Sequence, residues 1–163
     1  MDRPLRREPK GPSKSQMSKW KQILFASSPR NLDVALLLLR VGFGLSMALA
    51  HGLGKARDIP GFSAKIAARV PLPELLGPAA ALSEFLGGLL VALGLFTRPA
   101  AAFVLITMGV AAFHIHAADP FSKKELALAH GLVALAIAIA GPGRFSLDAR
   151  LFGRSARLPV DAG

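Results

Sequence analysis

The ionisable side chains inside the apolar stretches of this chain are of types that can hold or relay a proton. They are Glu84, His51, His114, His116, Glu125 and His130, with Arg40 and Lys55 as nearby cations. Glu84 carries the sharpest message. It is the only charge in Leu75–Phe96, which reads LLGPAAALSEFLGGLLVALGLF. About twenty mainly apolar residues suffice to cross a bilayer as a helix. A lone carboxylate at that depth is costly and marks either a functional group or an interior anchor. Helical stepping puts Glu84 on one stripe with Ala80, Ala81, Gly87, Gly88, Val91 and Ala92. Leu82, Phe85, Leu86, Leu89, Leu93 and Phe96 take the other side. Small residues admit a close neighbour helix, so Glu84 should face protein and the Leu/Phe side lipid. Its chemistry would be proton transfer beside a bound ligand; its structural alternative is an interhelical hydrogen bond or ion pair. Arg40, one or two turns below, is the expected cation, with a stem long enough to snorkel toward it.

The histidines offer less specific chemistry. His51 and Lys55 end an apolar run, as interfacial anchors or as contacts to a headgroup or substrate. His114 and His116 are about 200° apart on a helix, so only one of them can face inward. Periodicity favours His114, on the face of Thr107 and Ala111. Alternate spacing suits a strand ligand pair better than a helical one, so no metal site is expected. A bis-histidine haem between His51 and His116 is disfavoured, since no supporting motif accompanies it. Gly141–Asp148 is glycine-rich but lacks the Gly-Lys-Ser/Thr ending and preceding strand of a phosphate loop. It reads as a helix stop and a turn, with Asp148 capping or pairing locally with Arg144 or Arg150.

The elements that must position these groups are membrane helices. Of 163 residues, 52% are hydrophobic and 18% charged, with mean hydropathy +0.45. Soluble domains carry about 25% charge. The net charge of +10 could indicate a nucleic-acid partner. The basic residues instead crowd into tails and loops beside apolar runs, which is how membrane topology is written, so no nucleic acid is expected. The absence of cysteine rules out disulfides and cysteine-ligated clusters within the chain.

Residues 1–30 read as a basic, disordered tail, with a short interfacial helix near 17–28 anchored by Trp20. The first span is expected at Val34–His51, stopped by Gly52 and Gly54. Ala56–Glu74 reads as a loop with a mildly amphipathic middle, Phe62–Val70. The second span, Leu75–Phe96, meets the third, Ala100–His116, through Thr97-Arg98-Pro99, which makes them antiparallel neighbours. The fourth is expected at Leu126–Ala140, beginning near Ser122 and ended by Gly141-Pro142-Gly143. The chain closes in a basic tail, 149–163. The four-span arrangement places thirteen Lys and Arg on the side of the termini and six on the other. Both termini are therefore expected in the cytoplasm. His51, His116, Glu125 and His130 then lie toward the outer ends, with Glu84 near mid-depth and Arg40 deep on the inner side.

Four pieces occur in order. They are His51-Gly52-Leu53-Gly54-Lys55 after a helix bearing Arg40; Glu84-x-x-Gly87 leading to Gly94-Leu95-Phe96-Thr97-Arg98; Phe113-x-x-His116 followed by Asp119-Pro120-Phe121 and Glu125; and Gly141-Pro142-Gly143-Arg144-Phe145-Ser146-Leu147-Asp148. Together, across Leu32–Asp148, they resemble the DoxX family of bacterial four-helix membrane proteins. The resemblance implies the bacterial cytoplasmic membrane, and a family that includes subunits of quinone-linked sulfur oxidation and of membrane oxidoreductase assemblies. It favours His116 over His114 as the inward histidine. It disfavours His130, where the family pattern more often has an aromatic residue.

The expected fold is thus all-α, an integral membrane four-helix bundle over 31–148. The expected polar cavity is formed by His51, Glu84, His116 and Glu125, with Arg40 and Lys55 in support. The leading function is an accessory or cofactor-binding subunit of quinone-linked membrane redox chemistry. A non-catalytic scaffold that assembles a partner complex is the alternative, and a small-molecule carrier a third, weakened by the absence of an inverted repeat. No cofactor is evident in the sequence itself; quinone is left open and haem disfavoured. The partners are the bilayer, membrane redox proteins, and a further copy of the chain, which the sequence leaves open.

Overall fold

The computed structural model describes residues 29–153, whose regular structure is all helical, with no strand among them. Three helices are long and apolar enough to cross a membrane: Arg30–Arg57, Pro73–Leu93 and Thr97–Ile115. Their 28, 21 and 19 residues rise about 42, 32 and 28 Å, against a hydrocarbon core of about 30 Å. A fourth long helix, Phe121–Ala140, packs chiefly along the third. Lys123, Lys124 and Glu125 in its first turns make it less apolar over its full length. Its start at Phe121 agrees with the early start expected from its shortness. The expected interfacial helix near 17–28 and the tail beyond 153 lie outside the described residues.

The first long helix does not end at His51. It continues through a π-helical stretch, Met47–Gly52, and a last turn, Leu53–Arg57. The glycine at 52 serves contact rather than termination. A Cβ there would strike the backbone of Glu84 and Phe85. The same device recurs below it. A Cβ on Gly88 would stand 2.8 Å from Ala48 N and from Gly44 O, and one on Gly44 2.5 Å from Gly88 O. With no water to expel between them, membrane helices associate through such close packing. These contacts hold the first and second helices antiparallel in one register.

The faces follow the small-residue stripe. Ala81, Glu84, Gly87, Gly88 and Val91 are buried, whereas Leu82, Leu86, Leu93 and Phe96 are exposed. The core joins Phe43, Met47, Val91, Ala101, Val104, Met108, Ala134 and Ile137. The outer surface carries Leu38, Phe103, Phe113, Leu132 and Ile139. A surface this apolar belongs in lipid rather than water.

Arg40 and Asp148 lie at one end of the assembly, and both correct the sequence reading. The glycine register sets Arg40 level with Gly94, ten residues or about 15 Å of helix rise from Glu84. Arg40 is therefore not the cation of Glu84. It is fully buried and donates from Nη2 to Phe145 O at 2.6 Å. Its Nε and Nη1 have no hydrogen-bond partner among the described residues. Asp148 does not pair locally. Its carboxylate accepts from Phe96 N (2.8 Å), Thr97 N (2.9 Å) and Thr97 Oγ1 (2.8 Å), capping the third long helix from 51 residues away. Asp148 N also donates to Gly94 O at 2.8 Å. The turn Gly94–Phe96 needs this brace, because Phe96 is held at φ 47°, a left-handed conformation that costs a non-glycine residue energy.

At the opposite end, the expected loop folds into a short helix, Ile59–Ile66. Asp58 caps it, accepting from Gly61 N at 2.9 Å, and Pro60 sits in its first turn, where the missing N–H is harmless. Phe62, Ile66 and the buried Val70 face the interior of the assembly, which accounts for the amphipathic pattern.

Candidate functional site

Each of the three spanning helices carries a π-helical stretch: Met47–Gly52, Ser83–Gly87 and Ala111–Ile115. A π-bulge inserts one residue into a helix and frequently accompanies a functional site. The first bears His51 and the second Glu84. The third ends one residue before His116, whose N–H donates to Ala111 O at 3.0 Å. The first two stretches pack directly against each other. The insertions bring these polar side chains to one level of the assembly.

Glu84 is the centre. It is 2% exposed, and Lys55 Nζ reaches both its oxygens, at 2.5 and 2.6 Å. Lys55 is 30% exposed and lies 5.0 Å from the centroid of the Phe62 ring, a cation–π contact. The short helix thus holds the free side of the cation while Glu84 holds the other. Lys55, expected only in a supporting role, is the counter-ion assigned above to Arg40.

His116, not His114, faces the interior. Its Nδ1 is 2.7 Å from Asp119 Oδ2, while His114 is exposed. Simple periodicity misleads here because the preceding π stretch rotates the helix end by one residue. Asp119 lies outside the spans. Its carboxyl is held below the ordinary aspartate range, chiefly by the hydrogen bond from His116, with Lys123 adding to the effect. His51 stacks edge-on against His130, with ring centroids 5.0 Å apart. His130 also donates from Nδ1 to Leu126 O, 2.8 Å away. His130 therefore belongs to the site, contrary to the expectation. Glu125 does not: it is exposed and lines no cavity around Glu84.

Two cavities meet at this centre. One, of about 160 Å³, is half polar: His51, Lys55, Glu84, His116, Lys123 and His130 line it together with Met108, Leu126 and Ala127 among others. The other, of about 420 Å³, is mainly apolar and is lined by Phe62, Ile66, Leu76, Phe103, Ile106 and Val110 among others. Lys55, Glu84, Ala111 and His116 line both. Thr107 and Ser83, hydrogen-bonded through their hydroxyls at 2.9 Å, mark the wall of the apolar cavity. Such a place presents donors and a carboxylate on one side and hydrocarbon on the other. It can hold an amphiphile and offer its polar end both a proton donor and a proton acceptor.

Comparison with known proteins gives a consistent picture. A family profile described as DoxX matches residues 35–117, from the first span through His116. An uncharacterized protein of Haemophilus influenzae is 34% identical over 113 residues, which is 65% of this chain and 83% of that protein. No solved structure matches significantly.

Proposed function

This chain belongs to the DoxX family of membrane proteins, and from that premise we propose that it is an accessory, quinone-binding subunit of redox chemistry in the bacterial cytoplasmic membrane. The observation that carries the reading is the Lys55–Glu84–His116 centre shared by a small cavity that gathers the ionisable side chains and a larger, mainly apolar one. A quinone has that division: carbonyl oxygens that accept hydrogen bonds, and an apolar tail. Lys55 and His116 are placed to donate to such oxygens, and His51 lies alongside. When bound, a quinone supplies two-electron, two-proton redox exchange between membrane partners. The chain itself would bind and orient the head, keep it from bulk water, and present it with the Lys55 ammonium, the Glu84 carboxylate and the His116 ring.

The proposed architecture is a four-span bundle with Phe121–Ala140 as the fourth crossing and both termini in the cytoplasm. Its support is the bias of thirteen Lys and Arg against six, together with the grouping of Arg40, Thr97 and the Gly141–Phe152 segment at one end of the structure. Reporter fusions at Met1 and Gly163 should both read cytoplasmic. An external signal at either end overturns this topology.

The binding test uses purified protein and a short-tailed ubiquinone analogue. Glu84→Gln and His116→Ala should each weaken binding by about tenfold or more, as expected from losing a hydrogen bond involving a charged or polar partner at a buried site. Native preparations should retain extractable quinone. If the analogue does not bind and the preparation carries lipid only, the scaffold reading replaces this one, with Lys55–Glu84 as an anchor between helices.

A further inference from the structure

The two ring nitrogens of His116 have different surroundings. Nδ1 is 2.7 Å from Asp119 Oδ2. Nε2 has no hydrogen-bond partner among the described residues. His116 lines both cavities at Glu84, whereas Asp119 lines neither. The bond to Asp119 thus takes up one edge of the ring and leaves Nε2 as the nitrogen for a ligand. Asp119 is fixed in its turn: its N–H donates to His116 O at 3.0 Å. Its side chain is 30% exposed, outside the spans, and its carboxyl, held below the ordinary aspartate range, is an ionised acceptor at neutral pH. Lys55, Glu84, Lys123, His51 and His130 face the ring across the small cavity, and the charge of Arg69 acts on Asp119 from beyond the short helix. Among the described residues only Asp119 accepts at Nδ1.

A neutral imidazole has one N–H. A carboxylate that accepts from Nδ1 keeps the proton there and makes Nε2 a bare acceptor. We infer that Asp119 is a positioning residue that holds neutral His116 as the Nδ1–H tautomer, and that Nε2 then accepts from the hydroxyl of a reduced, quinol-type head. The ligand half rests on the reading proposed above; the tautomer half stands without it. The protonated ring donates from Nε2 to a carbonyl oxygen, and the neutral ring accepts from a hydroxyl at the same atom. In both states Nδ1–H stays on Asp119 and the ring keeps its orientation, so one site serves both forms of the head. Without the carboxylate, the neutral ring is free to carry its proton on Nε2. A quinol hydroxyl then loses its acceptor, while a quinone carbonyl keeps a donor.

The test uses the full chain in nanodiscs and has two arms. Imidazole nitrogen NMR at alkaline pH, where the same spectra show the ring neutral, reads the tautomer, with His116→Ala identifying the His116 signals. The parent should carry the proton on Nδ1, and Asp119→Asn should shift it toward Nε2. The second arm is binding of a short-tailed ubiquinone analogue in its oxidised form and, kept anaerobic, in its reduced form. At that pH Asp119→Asn should weaken the reduced probe about tenfold, while the oxidised probe binds at least as well as before. In a His116→Ala background the same change should add nothing. A merely structural Asp119 would weaken both probes together, and that result overturns the inference. So does a parent His116 that carries its proton on Nε2. If neither probe binds the parent, the quinone reading fails and takes the ligand half with it, while the spectra still decide the tautomer.

Discussion

Lys55→Met should destabilise the folded protein by about 3 kcal/mol, toward the lower end of the cost of stranding one partner of a buried ion pair. Glu84 is 2% exposed and loses the only cation that touches it among the described residues. Lys55 is 30% exposed, so part of the pair energy is screened, which places the figure at the lower end. Replacing both partners, in Lys55→Met with Glu84→Leu, should recover much of the loss, because apolar residues then fill the buried site with no charge left unpaired. Arg40→Leu combined with Glu84→Gln should instead be additive, since the two positions are about 15 Å apart along the helix pair. Unfolding in mild detergent, followed by helical circular dichroism, measures each arm. If Lys55→Met is as stable as the parent, or if Arg40 and Glu84 show coupling, the assignment of the counter-ion is wrong.

Asp148→Ala should have an effect of similar size, about 3 kcal/mol or more. It removes the acceptor of Phe96 N, Thr97 N and Thr97 Oγ1 together, and bonds to a charged acceptor are the stronger class. It also releases a turn whose Phe96 is held at positive φ. Arg40, buried nearby, loses the negative charge that offsets its burial, so the two effects compound. Asp148→Asn, which keeps one acceptor, should fall between the two. Limited proteolysis near Arg98, together with the unfolding transition, reads the result. A loss under about 0.5 kcal/mol, the level of an ordinary surface change, would show that the brace is dispensable.

The amino-acid sequence by itself determined the class of molecule and the faces of its helices. Apolar runs of bilayer length, basic flanks and a stripe of small residues around Glu84 are local patterns. The buried Ala81, Glu84, Gly87, Gly88 and Val91 lie where periodicity puts them. The motifs spread along Leu32–Asp148 resemble DoxX, and the family match bears this out over 35–117, which takes in the pieces around His51, Glu84 and His116. His116 was reached through that resemblance and not through helical phase.

Only the tertiary structure decided who pairs with whom. Which cation meets Glu84 depends on the sliding register of two antiparallel helices, and glycine contacts at 44, 52 and 88 set it. Asp148 caps a helix 51 residues away because the chain returns to the same end of the assembly, which no local spacing encodes. His130 joined His51 and Glu125 stayed outside because the phase of the fourth long helix is set by its packing against the third. Three π stretches shift the helical phase by a residue each, just where the polar groups converge. A period read from sequence assumes 3.6 residues per turn throughout, and that assumption fails first at the site.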